Sequence, residues 1–139
     1  MRLSILVLAL ILPGVGGDDA QAKKDLDRFQ GDWPVVICYV GASVVTSPGG
    51  AHLLSFKGDQ MATVWNGKQP NQRSTIKLDP TKSPATIDIV AGDHTYLGIY
   101  EIDGKRLRIC YRQDRRPTRF DAKDKADDSN NVLFELKRE

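Results

Sequence analysis

The sequence predicts an all-β domain: a single antiparallel barrel, or alternatively a sandwich, of about eight strands preceded by one short helix. Three observations indicate this class. After Gly31 the apolar residues recur at every second position. The apolar runs follow one another at intervals of about ten residues. Turn sequences such as 66–67 (NG) and 103–104 (DG) lie between them. A closed barrel is favoured because it leaves no open sheet edge.

The elements follow in order along the chain. Residues 23–30 predict a short helix, because Leu26 and Phe29 share one face. Gly31 ends this helix. The first strand is expected to carry Trp33, Val35, Ile37 and Tyr39 on one face. Residues 41–50, rich in Gly, Ser and Pro, predict a loop. Later strands are expected around residues 54–56, 61–65, 74–78, 87–89, 95–102, 107–111 and 132–136, and the polar residues 112–130 predict a long connection.

Alternation also predicts which side chains fill the interior. The inward set consists of large apolar residues, which favour a filled core over a hollow one. Its members are Trp33, Phe56, Trp65, Ile76, Leu78, Ile87, Ile89, Ile99, Leu107, Ile109, Phe134 and Leu136.

The N-terminus has the pattern of a signal peptide. Arg2 precedes the apolar run 3–12, which is too short to cross a bilayer. Residues 20–22 (AQA) fit the rule for a cleavage site. Residues 1–22 are therefore expected to be removed, and 23–139 to form the exported domain, periplasmic or extracellular, with no membrane span after cleavage. The alternative is an uncleaved N-terminal anchor.

Composition and motifs narrow the classes of function. The chain of 139 residues has a net charge of only +2, which gives no basis for a nucleic-acid partner. No hydrolase, metalloprotease or nucleotide-binding motif is present, and His52 and His94 have no metal-ligand spacing around them. The sequence therefore predicts a protein that is not an enzyme, with no catalytic residue, cofactor or metal.

Two cysteines, Cys38 and Cys110, have two possible states in an exported protein. They can form one disulfide bond, or they can be separate buried thiols, and the second state is slightly favoured. Neither cysteine has a histidine near it in the sequence, so nothing indicates a catalytic thiol.

Four segments of the chain carry a resemblance to a known family. They are GDWPVV (31–36), the stretch from IKLDP to LRICY (76–111), RRPTRF (115–120) and LKR (136–138). The chain resembles a family of uncharacterised exported domains, abundant in planctomycete bacteria, with a lipocalin-like fold. The resemblance covers nearly all of residues 23–139 and implies a lipocalin-like barrel without an assigned activity.

The resemblance also implies two structural roles. In lipocalin-like proteins a late arginine packs over a tryptophan at the closed end of the barrel, and Arg138 and Trp33 match this pair. An indole face attracts a guanidinium group, so the two would form a structural plug. In the RPT segment, Arg116 is expected to fix its loop by capping backbone carbonyls or by pairing with a carboxylate.

Aromatic residues near predicted turns are candidates for a ligand site at the open end of the barrel. They are Phe56, Trp65, Tyr96 and Tyr100. The leading interpretation is a non-catalytic exported domain that binds a small apolar molecule or another envelope component. The alternative is a structural or protein-interaction module with a filled barrel and an envelope protein as its partner.

Overall fold

The structure, a computed structural model, describes residues 17–41, 43–46, 52–68, 73–121 and 131–139. In these residues one helix precedes nine strands. They are α1 (Gly17–Phe29), β1 (Gly31–Val40), β2 (Ser43–Thr46), β3 (His52–Lys57), β4 (Gln60–Trp65), β5 (Ser74–Asp79), β6 (Ala85–Ala91), β7 (His94–Asp103), β8 (Arg106–Arg112) and β9 (Val132–Lys137).

Eight of the strands close into an antiparallel barrel. Strands β3 to β9 pair in sequence order, and β1 pairs with β3 on one edge and β9 on the other. The β1–β9 ladder runs from Val35–Leu136 to Val40–Val132 and joins the two ends of the sheet. This closure confirms the all-β, lipocalin-like barrel and excludes the sandwich.

Strand β2 lies where the sequence predicted only a loop. It pairs with Ile37–Val40 of β1, on the edge that β3 occupies at Gly31–Pro34. The prediction of a loop over the whole of residues 41–50 is therefore wrong. The β-branched residues Val44 and Val45 suit a strand, and the long β1 offers them an unused edge beyond β3. Residues 42 and 47–51 lie outside the described residues.

Helix α1 closes one end of the barrel. It begins at Gly17, earlier than the predicted residues 23–30, and includes residues 20–22. Phe29 in its last turn is fully buried, and its ring packs edge-on against Phe56 and Tyr100 with centroids 5.2 Å away in each case. The apolar run 3–12 lies outside the described residues. Among those described, no helix has the length and apolar character needed to cross a membrane.

Arg138 and Trp33 seal the same end. The guanidinium carbon of Arg138 lies 3.9 Å from the centroid of the Trp33 ring, so the predicted contact is confirmed. The Arg138 guanidinium also donates to the carbonyls of Gln30 and Arg28, both at 2.8 Å. The Trp33 indole N–H donates to the Phe29 carbonyl at 2.7 Å. Together they hold the end of α1 against both the first and the last strand.

Strand β1 contains a bulge that reverses its alternation. Its register with β9 shifts between Val35 and Ile37. Trp33 and Val35 face the interior, but beyond the shift it is Cys38 that is buried in the core, while Tyr39 packs against a second apolar cluster outside the barrel. The prediction that Ile37 and Tyr39 share a face with Trp33 is wrong, because an extra residue in one strand turns the following side chains to the opposite face.

The interior is filled around this frame. Of the predicted inward residues, Trp33, Phe56, Ile76, Leu78, Ile87, Ile89, Leu107, Ile109, Phe134 and Leu136 are buried in one apolar cluster. Trp65 and Ile99 are not part of it. Ile99 belongs to the outer cluster with Cys110 and Leu133, because Tyr100 takes the inward position next to it in β7. The outer cluster is buried because Phe120, from the connection after β8, packs on it.

The two cysteines lie on opposite sides of the barrel wall. Cys38 lies inside the barrel, whereas Cys110 pairs with Leu133 and faces outward. Both cysteines are buried and are not joined in a disulfide bond. A disulfide is therefore absent, because the wall of the barrel separates the two side chains.

Arg116 fixes the segment 113–121 on the outer wall. Its guanidinium donates to the carbonyls of Gly98 at 2.7 Å and Ile87 at 3.2 Å, and to Asp88 at 2.6 Å. Both predicted roles, capping carbonyls and pairing with a carboxylate, are present. The wall is tight beside it, since a Cβ on Gly98 would lie 2.9 Å from the carbonyl oxygen of Cys110. Residues 122–130 of the same predicted connection lie outside the described residues.

Replacing Arg138 by methionine should destabilise the barrel by about 1–3 kcal/mol, because the cation–π contact and two hydrogen bonds are lost while an unbranched apolar stem is kept. Urea unfolding would measure the change. Arg106→Met is the matched control, because Arg106 is exposed on the outer wall, and it should change stability little. Equal effects of the two substitutions would contradict the role of Arg138 as a plug.

The thiols give a second test of the fold. Ellman's reagent should react slowly with the folded protein, because both cysteines are buried and burial raises the pKa of the Cys38 thiol to about 11. In denaturant without reductant, both thiols should react, and Cys110→Ala should leave one. A denatured protein without reactive thiols would contradict the placement of Cys38 and Cys110 on opposite faces of the wall.

Candidate functional site

The open end of the barrel lies opposite helix α1, where β1 ends and β9 begins. Aromatic side chains converge there from five strands. We call them the aromatic arc, and its members are Tyr96 (β7), Tyr111 (β8), Phe134 (β9), His52 (β3) and Trp65 (β4).

Successive rings of the aromatic arc are in contact. The ring centroids are 5.4 Å apart for Tyr96 and Tyr111, and 6.1 Å for Tyr111 and Phe134. They are 5.7 Å apart for Phe134 and His52, and 4.6 Å for His52 and Trp65. All pairs except Tyr111–Phe134 meet edge to face, the arrangement that the charge distribution of aromatic rings favours. The arc is therefore a continuous aromatic surface.

Trp65 is the accessible end of the arc. It is the last residue of β4, before the turn at Asn66 and Gly67, whose φ angles of 52° and 74° match the predicted hairpin turn. Its side chain is 42% exposed. The prediction of Trp65 as a core residue is wrong, because the strand ends at the barrel mouth, whereas the prediction that it walls the open end agrees with its position.

The wall beside Trp65 is incompletely paired. Among the described residues, β4 and β5 pair only at Gln60–Thr75 and Met61–Ser74. The half of β4 that leads to Trp65 thus extends beyond its pairing with β5. Thr63, which lies opposite the inward Leu54 in the register, is exposed for this reason. Residues 69–72 lie outside the described residues.

His52 is the buried polar member of the arc. It is 7% exposed and lies directly opposite Trp65 in the β3–β4 register, so both side chains point to the same face. In the part of the chain that the structure describes, its Nδ1 atom has no hydrogen-bond partner. Burial lowers the pKa of His52, so the ring is neutral at neutral pH.

The neighbours of His52 in the open end are also uncharged. Burial raises the pKa of the Tyr111 hydroxyl far above neutral pH and that of the Cys38 thiol to about 11. A thiol with a raised pKa is a poor nucleophile. The chemistry of this end therefore favours binding an uncharged molecule over attacking one.

A polar rim surrounds the Tyr96 end of the arc. Arg112 donates to both carboxylate oxygens of Asp114, at 2.7 and 3.0 Å. A depression of about 610 Å³ lies between this ion pair, the two tyrosines and Val132. The arc thus borders a surface recess with an ion pair at its edge.

Two of the predicted ligand residues lie at the other end of the barrel. Phe56 packs on Phe29 of helix α1. Tyr100 also packs on Phe29 and donates from its hydroxyl to Asp25 at 2.6 Å. The hypothesis that these two wall the open end is therefore wrong, because proximity to a turn does not show at which end of the barrel that turn lies. Trp65 and Tyr96 are brought together in the arc.

The sequence interpretation missed His52, Tyr111 and Phe134 as members of the site. A signal for His52 was present. The turn at 58–59 sets the β3–β4 register, and counting back from it places His52 opposite Trp65. Tyr111 and Phe134 follow the alternation of core residues, so nothing in their pattern separates a ligand contact from packing.

Comparisons with protein-family models, curated proteins and solved structures find no match to this chain. The class therefore follows from the geometry: a closed, lipocalin-like β-barrel with an aromatic surface at its open end. Among the described residues, no group of three or more His, Cys, Asp or Glu side chains is placed to hold a metal ion.

The two ends of the barrel should respond differently to truncation. Trp65→Ala should reduce the free energy of unfolding by less than about 2 kcal/mol, because much of the indole is already in water. Phe56→Ala, a buried control at the closed end, should cost about 3–5 kcal/mol. Chemical unfolding of both variants measures this. A loss for Trp65→Ala as large as that for Phe56→Ala would make Trp65 a core residue.

Proposed function

We propose that this chain is an exported, non-catalytic, small-molecule-binding protein that holds an uncharged, mainly apolar ligand at the open end of its barrel. The observation that carries the proposal is the 42% exposure of Trp65 at the end of a continuous aromatic arc. Export is proposed from the signal-peptide pattern of residues 1–22 and from the resemblance to exported lipocalin-like domains.

The distribution of side chains supports the open end as the binding position. At the closed end, Phe29 and Trp33 are fully buried, and Arg138 covers the Trp33 ring. At the open end, the arc is reached from solvent at Trp65. Sites of this kind are mostly apolar, with a few polar groups that set orientation.

The chemistry of the arc supports an uncharged ligand. The raised pKa of Tyr111 and the lowered pKa of His52 both reflect an environment that disfavours charge. Bringing an ion into such a site without a partner would cost several kcal/mol of desolvation, on the order given for buried ions. Aromatic surface and neutral polar groups together favour a flat or compact apolar molecule.

The second candidate is a structural or protein-interaction module in the envelope. The observation that favours it is the single apolar cluster that reaches from Phe29 to Phe134 and fills the barrel along most of its length. In this case the arc would be the top of the core. The two candidates differ in whether a small molecule saturates the open end.

N-phenylnaphthylamine, a neutral probe whose fluorescence rises in apolar sites, separates them. We expect saturable binding near one probe per chain. Trp65→Ala should weaken it about tenfold, because truncating a central aromatic contact typically costs more than about 1 kcal/mol.

Tyr100→Phe is the matched control, since it alters an aromatic residue at the closed end and should leave probe binding unchanged. Native mass spectrometry of the protein purified from its own cells should show a resident ligand as an additional mass on the chain. Absence of saturable probe binding would contradict the proposed function and favour the structural module.

A further inference from the structure

We infer that the ligand is a planar aromatic molecule with one hydrogen-bonding group, and that Nδ1 of His52 is the partner of that group. This inference rests on the proposed function, because it assigns the ligand class of the same open end. The observation that carries it is the buried Nδ1 atom of His52, which has no hydrogen-bond partner within the described residues.

An unpartnered nitrogen at this position has a cost that a different residue would avoid. His52 occupies an inward position between Trp65 and Phe134, where an apolar aromatic side chain would make the same two ring contacts. A buried polar atom without a partner loses its hydrogen bonds to water and gains nothing in return. A ligand group that forms a hydrogen bond with Nδ1 removes this cost on binding. The imidazole therefore favours ligands that carry a hydrogen-bonding group.

The rest of the arc indicates the shape of the molecule. Trp65 meets His52 at an interplanar angle of 68°, and Tyr96 meets Tyr111 at 71°. Edge-to-face pairs engage a ring through an edge on one side and leave other ring surface for a third partner. A planar aromatic ligand that stacks on the exposed Trp65 lies next to His52, whose ring centroid is 4.6 Å from that of Trp65, so its polar group is directed toward the imidazole.

The polarity of the surroundings limits that group to an uncharged one. The ring of His52 is neutral, and the raised pKa values of Tyr111 and Cys38 keep both of these groups protonated. A neutral imidazole has one protonated and one unprotonated nitrogen, so Nδ1 either accepts or donates. A phenolic hydroxyl suits both cases, because it can donate and accept.

Naphthol and methylnaphthalene, substituted at the same ring position, form a suitable probe pair. They have the same shape and differ in a hydroxyl against a methyl group. Equilibrium dialysis would measure the dissociation constants of both for the wild type, His52→Phe and Trp65→Leu. His52→Phe keeps an aromatic ring between Trp65 and Phe134, slightly larger than the imidazole, and removes both nitrogens.

We expect His52→Phe to weaken naphthol about three- to tenfold, the range of one neutral hydrogen bond, and to change methylnaphthalene less than about twofold. Trp65→Leu should weaken both probes alike. Thermal unfolding gives an independent readout. His52→Phe should raise the melting temperature by about 2–5 °C, because it removes an unpartnered buried nitrogen.

The outcomes separate the inference from the proposed function. If Trp65→Leu weakens both probes while His52→Phe affects both equally or neither, the site stands and the role of His52 is overturned. A lower melting temperature for His52→Phe would also overturn it, since it would show a structural partner for the imidazole. If neither probe binds the wild type, the proposed function fails and the inference fails with it.

Discussion

The contact of Arg138 with Trp33 is the constraint on which the rest of the barrel depends. A helix leaves the carbonyls of its last turn without partners inside the helix. Here the Trp33 indole and the Arg138 guanidinium satisfy three carbonyls at this end of α1, those of Phe29, Arg28 and Gln30. Because Trp33 belongs to the first strand and Arg138 follows the last, the same bonds draw the two terminal strands together. This one pair of side chains therefore links the docking of the helix and the burial of the core at this end to the β1–β9 ladder that closes the sheet.

A sealed closed end determines what the open end can be. Phe29 fills the barrel interior at the closed end, and the apolar cluster that it belongs to continues along the barrel toward the open end. The bulge after Val35 then turns Cys38 inward beside Phe134, and Tyr39 outward onto the wall cluster. Toward the open end the core continues in aromatic rings, from Phe134 to Tyr111 on one side and to His52 on the other. The aromatic arc is thus the upper surface of a core whose lower surface is covered by α1.

The sequence predicts the strands and the plug because both depend on local or recurrent patterns. Alternation places ten of twelve interior residues correctly, and the resemblance to lipocalin-like proteins implies the pair of Trp33 and Arg138. Prediction from the sequence fails where the position of a side chain depends on residues that are distant in the sequence. The bulge in β1 follows from its pairing with β9, and the outward burial of Ile99 follows from coverage by Phe120. Phe56 and Tyr100 were assigned to the wrong end, because alternation gives the face of a residue but not its height in the barrel.

Two other buried polar groups, Asp25 and Arg112, provide a contrast to His52. Asp25 is buried at the closed end, and there the Tyr100 hydroxyl donates to its carboxylate at 2.6 Å. Arg112 is buried at the rim, and both of its bonds to Asp114 are made. In these cases the fold itself supplies the hydrogen bonds that burial requires. The Nδ1 atom of His52 lies at comparable depth, and the fold supplies it with none within the described residues. Under the proposed function, a ligand group that reaches the open end would supply the hydrogen bond that this atom lacks.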